Sequence, residues 1–503
     1  MISLIRQSKA CHRASASLLK TRAFPVSAIK PTIRFNSTVS SSSSGLIKPA
    51  GTTKPVNENE LGKVLAETIR SQGPLSLAAF MRECLTNPAG GYYINKDPFG
   101  KSGDFITSPE ISQMFGELVG IWVLTQWMLQ NKPQAVRLIE FGPGRGTLMS
   151  DMLRSARPFK QFENAIKEVY FVEASPTLRK AQHKLICGTN ELVHDKATGV
   201  YSSKSLYNGT PVFWVEDAKI LPQKSSDKEE FANYIIAHEF FDALPIYQFE
   251  KVADEPGVST KLPSQRPASW REFVVDYCVP KPTELESSIL LPNQSIVKAS
   301  AKNGGKLDKN DKPVFQLGLA PSWTVPARII PKTHPRYDAL PIGAKVEICP
   351  DAWEITEQMA QRIDGTKGGV LVVDYGPSDT IPVNSLRGIK DHKLVNPFET
   401  PGEADLSTDV DFQAIKVAAM QARPNDVAVY GPVEQGDWLH TMGIGARATM
   451  LANAQTTEEG KKRVEQAYNR LVERGGGAMG KLYKVMAIVP KGQGKPVGFG
   501  GDI

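Results

Sequence analysis

The chain has 503 residues, 41% apolar and 22% charged, with a formal net charge of +7. That balance is ordinary for a soluble globular protein, and the length suits one elaborated α/β domain or two smaller ones. No apolar run approaches the ~20 residues a membrane span needs. The positive charge is local: residues 1–57 hold nine Lys/Arg and no Asp or Glu. Removing those nine from the 60 basic residues leaves 51 against 53 acidic ones, a net −2. A near-neutral remainder argues against a nucleic-acid partner, which needs a basic surface. Five scattered cysteines (Cys11, Cys84, Cys187, Cys278, Cys349) form no CxxC pair and read as free thiols. The seven histidines show no ligand spacing, so no metal site is expected.

The first segment is Arg-, Ser- and Ala-rich with interleaved Leu and Ile. These are the marks of a mitochondrial transit peptide, a basic amphipathic helix drawn to anionic lipid. Arg34-Phe35-Asn36-Ser37 is the expected processing point, and residues 1–45 are set aside as transit peptide and tail. Residues 58–130 read as a helical extension. Leu61, Val64, Leu65, Thr68 and Ile69 recur at helical spacing, Pro74–Met81 opens a second helix, and Ile111–Gln130 is a buried one carrying Trp122 and Trp127. The loop Gly103-Asp104-Phe105-Ile106-Thr107-Ser108-Pro109-Glu110 reads, on physics alone, as a cap to the following helix.

Residues 131–250 change rhythm. Strands are expected at Ala135–Phe141, Glu168–Glu173, Val212–Glu216 and Tyr234–Ala237, with helices at Thr147–Ala156 and 176–187 between them. A later strand is expected at Gly369–Asp374 and a last one at Lys481–Val489, within a second core segment, 346–490. Such alternation predicts a doubly wound α/β fold with a parallel sheet. Residues 251–345, rich in Pro, Ser and Lys, read as an inserted, partly β subdomain with a strand near Trp270–Tyr277, and 491–503 as a tail.

The chemistry gathers at strand ends. Glu140-Phe141-Gly142-Pro143-Gly144-Arg145-Gly146-Thr147 lies between a strand and a helix. Glycines there let the chain turn and a ligand approach the backbone beside free helix-start N–H groups. Thr147 stands at the last position of the dinucleotide fingerprint, so the pattern departs from GxGxxG. Acid-x-Gly-x-Gly-x-Gly looks like the first motif of class I methyltransferases, which bind S-adenosylmethionine. Glu173 ends the second strand and can accept bonds from ribose hydroxyls. Asp217 ends the third and is a candidate contact for the adenine amino group. The fourth runs into Ala237-His238-Glu239-Phe240-Phe241-Asp242-Ala243-Leu244-Pro245. Two carboxylates beside aromatics can grip a guanidinium, and Glu239, Asp242 or His238 could take the proton lost on methylation. Asp405, Asp409 and Asp411 are read as turn or cap residues.

These motifs together resemble the mitochondrial MidA-type methyltransferases, a family of assembly factors for NADH:ubiquinone oxidoreductase (complex I). The likeness includes Val373-Asp374-Tyr375-Gly376, Leu386-Arg387-Gly388-Ile389, Pro401–Phe412 and Met442-Gly443-Ile444, and spans about residues 58–490. It implies a class I methyltransferase core, S-adenosylmethionine as methyl donor, a mitochondrial matrix location and symmetric dimethylation of an arginine on the 49-kDa subunit of complex I. It also implies that Gly103, Thr107, Ser108 and Pro109 lie near the cofactor. His238 departs from the Asn that often stands before the Glu of the fourth-strand motif. Two other readings compete: a non-catalytic assembly chaperone on the same fold, and a nucleotide-dependent oxidoreductase, which Thr147 disfavours.

Overall fold

The strands that carry the glycine loop and the acidic ends lie side by side in a nine-stranded sheet. The computed structural model describes residues 59–95, 106–222, 231–253, 268–277, 315–363, 365, 367–475 and 477–500. The transit segment and Gly103 lie outside these residues, as do Cys11 and Cys278. Pro55–Ile503 pack as one unit. Across the sheet the order is Val427–Glu434, Tyr483–Pro490, Gly369–Tyr375, Ala232–His238, Val136–Phe141, Ile166–Val172, Pro211–Val215, Tyr201–Lys204 and Val193–His194. The five strands from Gly369–Tyr375 to Pro211–Val215 run parallel. The four outer strands are antiparallel, so the sheet is mixed rather than wholly parallel. Tyr483–Pro490 inserts between Gly369–Tyr375 and Val427–Glu434, pairing with both.

Val136–Phe141 is buried at every position because both faces are covered. Leu138, Phe171, Ile236 and Val373 face one core cluster, against helices Gln113–Leu129 and Thr147–Ala156. Ile139, Tyr170, Ile235 and Val372 face the other, against helices Pro350–Gln361 and Phe412–Ala422. The period-2 alternation of strand side chains sorts them. Gln113–Leu129 is apolar all round because it is buried on most of its circumference; Trp122 and Trp127 sit in the core. Its start is fixed by Ser112, whose side chain accepts the Met114 N–H at 3.2 Å. Phe499, near the end of the chain, is buried in the same cluster.

The helical extension packs on a second sheet. The stretch expected as one helix from Pro74 divides: Leu75–Ser76 pair antiparallel with Val274–Val275, and a helix follows over Leu77–Thr86. Ser76 decides the break, its Oγ accepting the Ala79 N–H at 3.1 Å as an N-cap. The other strands are Tyr247–Ala253, Ala268–Asp276, Gln316–Leu319 and Lys345–Ile348. Two of them, Ala268–Asp276 and Gln316–Leu319, come from the 251–345 stretch; its residues 254–267 and 278–314 lie outside the described ones. A three-stranded sheet of Arg387–Lys390, Lys393–Val395 and Asp405–Ser407 completes the fold. No helix among the described residues is long and apolar enough to cross a membrane. No group of three or more His, Cys, Asp or Glu among them could hold a metal ion. Cys84, Cys187 and Cys349 are free thiols.

Candidate active site

Parallel strands end on the same sheet edge, so their terminal residues become neighbours. Register pairs Val373 with His238, Phe141 with Ala237 and Val172, and Val172 with Val215. Along the edge stand Asp374, Glu239, Glu140, Glu173 and Glu216 in that order. An open cleft lies there, at the carboxyl ends of the strands where doubly wound folds place their ligands. Of the residues expected at the site, Thr107, Pro109, Glu140, Gly142, Gly144, His238 and Glu239 line it. Glu110, Pro143, Arg145 and Thr147 line it too. Ser108, Gly146, Glu173, Asp217 and Asp242 are not among the lining residues.

The glycine loop owes its shape to left-handed backbone. Gly142 has φ +60°, Gly144 +53° and Gly146 +85°. A Cβ on Gly142 would stand 3.0 Å from the Phe240 ring. Gly146 caps helix Thr147–Ala156. Gln182 ties the loop to the second strand: its Nε2 donates to the Gly144 carbonyl at 2.6 Å and to Glu173 at 2.8 Å. Its Oε1 accepts from the Trp214 indole at 3.0 Å. Glu173 also accepts the Ser175 N–H at 2.7 Å. Burial raises Glu173 to about 7 despite those bonds. Glu140 is raised well above the carboxylate range, first by burial and then by the Glu173 charge. Its Oε2 is buried without a hydrogen-bond partner.

Asp217 sits differently from its expected role. It is exposed, and its carboxylate accepts the Lys219 N–H at 2.8 Å, capping the short turn Ala218–Ile220. An acid after a strand is also what a following turn requires.

The fourth strand's exit is the most constrained part of the site. Glu239 has φ +48°, a left-handed conformation costly for a residue with a side chain. Its N–H donates to Val373 O at 2.9 Å. The carboxylate of Asp374, from the adjoining strand, accepts the Phe240 N–H at 3.1 Å, the Phe241 N–H at 3.0 Å and the Asp242 N–H at 3.4 Å. Tyr375 OH donates to Asp242, and the Tyr483 hydroxyl and the Ser108 backbone stand close enough to Glu239 to favour its ionised form. Asp405 and Tyr93 join the group through a 2.7 Å bond. Arg387 faces it, over the Tyr375 ring and paired with Asp409 at 2.8 Å. Burial and then the Asp242 charge raise Glu239 to about 8. Burial raises Asp242, and burial with the Asp242 charge raises Asp374 well above its ordinary value. Glu239 Oε1 and Asp242 Oδ1 are buried without hydrogen-bond partners. Such a cluster is short of positive charge. His238 packs on Phe115 and is lowered to about 3 by burial. It is neutral at pH 7, which leaves the neighbouring carboxylate the stronger proton acceptor.

Residues 118–433 match a family described as "Putative S-adenosyl-L-methionine-dependent methyltransferase". The chain belongs to this family. It is 34% identical over 435 residues to the mitochondrial protein arginine methyltransferase NDUFAF7 of Xenopus tropicalis, covering 86% of each chain. It is 34% identical to the protein of that name from Homo sapiens, covering 84% of this chain and 81% of that one. The Drosophila melanogaster homologue is also 34% identical, with coverage of 86% and 85%. A solved Burkholderia thailandensis structure bound to S-adenosyl-homocysteine shares the fold at a TM-score of 0.60 and 20% identity, over 88% of this chain and 92% of that one.

The family's cofactor is S-adenosylmethionine, and the cleft fits it. A glycine loop that a single Cβ would obstruct, an orphaned Glu140 oxygen and a buried Glu173 are the features an adenosyl amino acid needs. When bound, the cofactor supplies an electrophilic sulfonium methyl. Sequence reasoning left Glu110, Asp374, Tyr375, Tyr483 and Gln182 outside the site. Asp374 carried a signal, an acid at the end of a strand flanking the fourth, but nothing local marks Gln182 or Tyr483.

Gly142→Val should fold and lose S-adenosylhomocysteine affinity by at least about tenfold in calorimetric titration, since it combines a forbidden φ with a clash at Phe240. Undiminished binding would place the cofactor elsewhere. Glu239 also predicts a pH effect. Its folded pKa of about 8 exceeds the unfolded value of 4.5. The stability this implies is full below the unfolded pKa and is lost as pH rises through the folded one. Glu239→Gln should therefore gain thermal stability over wild type as pH rises from 4.5 to 8, on the order of a few kcal/mol in full. A difference that does not change with pH would contradict the burial of this carboxyl.

Proposed function

We propose that this protein transfers a methyl group from S-adenosylmethionine to an arginine side chain of a protein substrate. The observation that carries this reading is that Glu239 lines the cleft, with Asp242 and Asp374 buried behind it and unpaired oxygens on Glu239 and Asp242. A guanidinium is planar, permanently charged and rich in N–H donors, and so suits two fixed carboxylates flanked by aromatics. The chain's similarity to proteins named mitochondrial protein arginine methyltransferases supports the same substrate class and a mitochondrial location.

Within this reading Glu140, Gly142, Gly144 and Gly146 hold the amino-acid half of the cofactor, Glu173 its ribose, and Thr107 to Pro109 close the cleft. Glu239 and Asp242 orient one guanidinium nitrogen toward the methyl. Glu239 Oε1 receives the proton released as the nitrogen is alkylated; the guanidinium bound beside it, a permanent cation, favours the ionised carboxylate this role needs. His238 supports the Glu239 side chain, its Nε2 standing 3.5 Å from Oε1. Positioning and exclusion of water supply most of the remaining rate. We place the protein in the mitochondrial matrix, with the 49-kDa subunit of complex I as substrate and symmetric dimethylarginine as product, in the course of complex I assembly.

The test combines mature protein, the 49-kDa subunit and methyl-labelled cofactor, with product identified by mass spectrometry. Wild type should yield symmetric dimethylarginine. Glu239→Gln and Asp242→Asn should retain S-adenosylhomocysteine binding and lose turnover by at least about 100-fold. Variants of undiminished activity would overturn the assignment. Restoration of complex I assembly in a knockout by Gly142→Val would favour a non-catalytic chaperone.

A further inference from the structure

Glu110 stands in the cleft with no role in the account above. It lies on the short helix Ser108–Ile111, whose Pro109 sets its start, and its carboxylate is fixed from across the cleft. Thr147 Oγ1 donates to Glu110 Oε1 at 2.6 Å. Thr147 is the first residue of the ten-residue helix that follows the glycine loop. Glu110 is thereby held beside the loop, at the end of the cleft also lined by Gly142, Gly144 and Arg145.

Two kinds of group meet there. Helix-start N–H groups and Arg145 suit a carboxylate. The Glu110 carboxylate and the unpaired acceptor oxygen of Glu140 suit a cation. Glu140 is 2% exposed, lines the same cleft and has an oxygen with no partner. The amino-acid end of S-adenosylmethionine is a zwitterion and presents both charges on one carbon. We infer that Glu110 is a cofactor ligand: its carboxylate, braced by Thr147, accepts the ammonium of the cofactor's amino-acid end together with Glu140. The short helix then closes on the cofactor through a charge-assisted bond rather than by packing alone.

Glu110→Gln isolates the charge, because the amide oxygen still accepts from Thr147. The probes are S-adenosylhomocysteine and 5′-methylthioadenosine, which keeps the nucleoside and thioether but lacks the amino-acid end. Calorimetric titration of the full chain should show Glu110→Gln binding S-adenosylhomocysteine about 10- to 100-fold more weakly, with 5′-methylthioadenosine unaffected. Equal loss for both probes would show that Glu110 only clamps Thr147, and would overturn the inference. Unchanged binding of both would overturn it as well. Wild-type protein that binds neither probe would count against the cofactor reading of the cleft, and this inference would fall with it.

Discussion

One buried carboxylate holds the site together. Asp374 ends a central strand and accepts three successive backbone N–H groups from the loop leaving the strand beside it. Each bond satisfies a backbone N–H that would otherwise be buried and unpaired, at a cost of about 1–3 kcal/mol. Their sum offsets a left-handed Glu239, which alone would cost on the order of 1–3 kcal/mol. The turn cannot relax without leaving those N–H groups buried and unpaired. Strain therefore sits where a carboxyl must point into a cleft.

The parallel sheet extends this constraint. Because five strands end on one edge, acids far apart in the chain stand within reach of one ligand. Their environments then separate them. Glu173 is satisfied by Ser175 and Gln182. Glu239 and Asp242 retain unpaired oxygens among tyrosines and a neighbouring acid. A dry pocket of carboxyls with unpaired acceptor oxygens, which burial keeps from ionising until a positive partner arrives, favours a cation with several donors. On the proposed function, the strand ends that hold the cofactor also select the group to be methylated.

Much of this was legible in the sequence because it is encoded locally. The glycine loop, the strands at 136–141 and 166–172 and the acid–aromatic exit at 238–242 each lie in a few consecutive residues. Of the four outer strands only Tyr483–Pro490 was legible, in the strand expected at Lys481–Val489. Val427–Glu434 is interrupted by a register shift at Gly431-Pro432, and Val193–His194 has only two residues. The partners of the site were hidden for another reason. Asp374 is more than 130 positions from the loop it holds, and Glu110 is 37 from Thr147. Asp217 shows the converse: an acid at a strand end satisfies the pattern for a ligand and equally the pattern for a cap. Only contacts decide between them.

The central claim is that buried carboxylates at the cofactor cleft recognise a guanidinium by its charge. Its most direct test is equilibrium binding of paired peptides to the S-adenosylhomocysteine complex. The peptides span the arginines of the 49-kDa subunit of complex I, each made with arginine and again with citrulline, its neutral isostere. The account predicts that one arginine peptide binds and that its citrulline counterpart loses affinity by at least about tenfold. Equal affinity for the two, or binding of none, would contradict it.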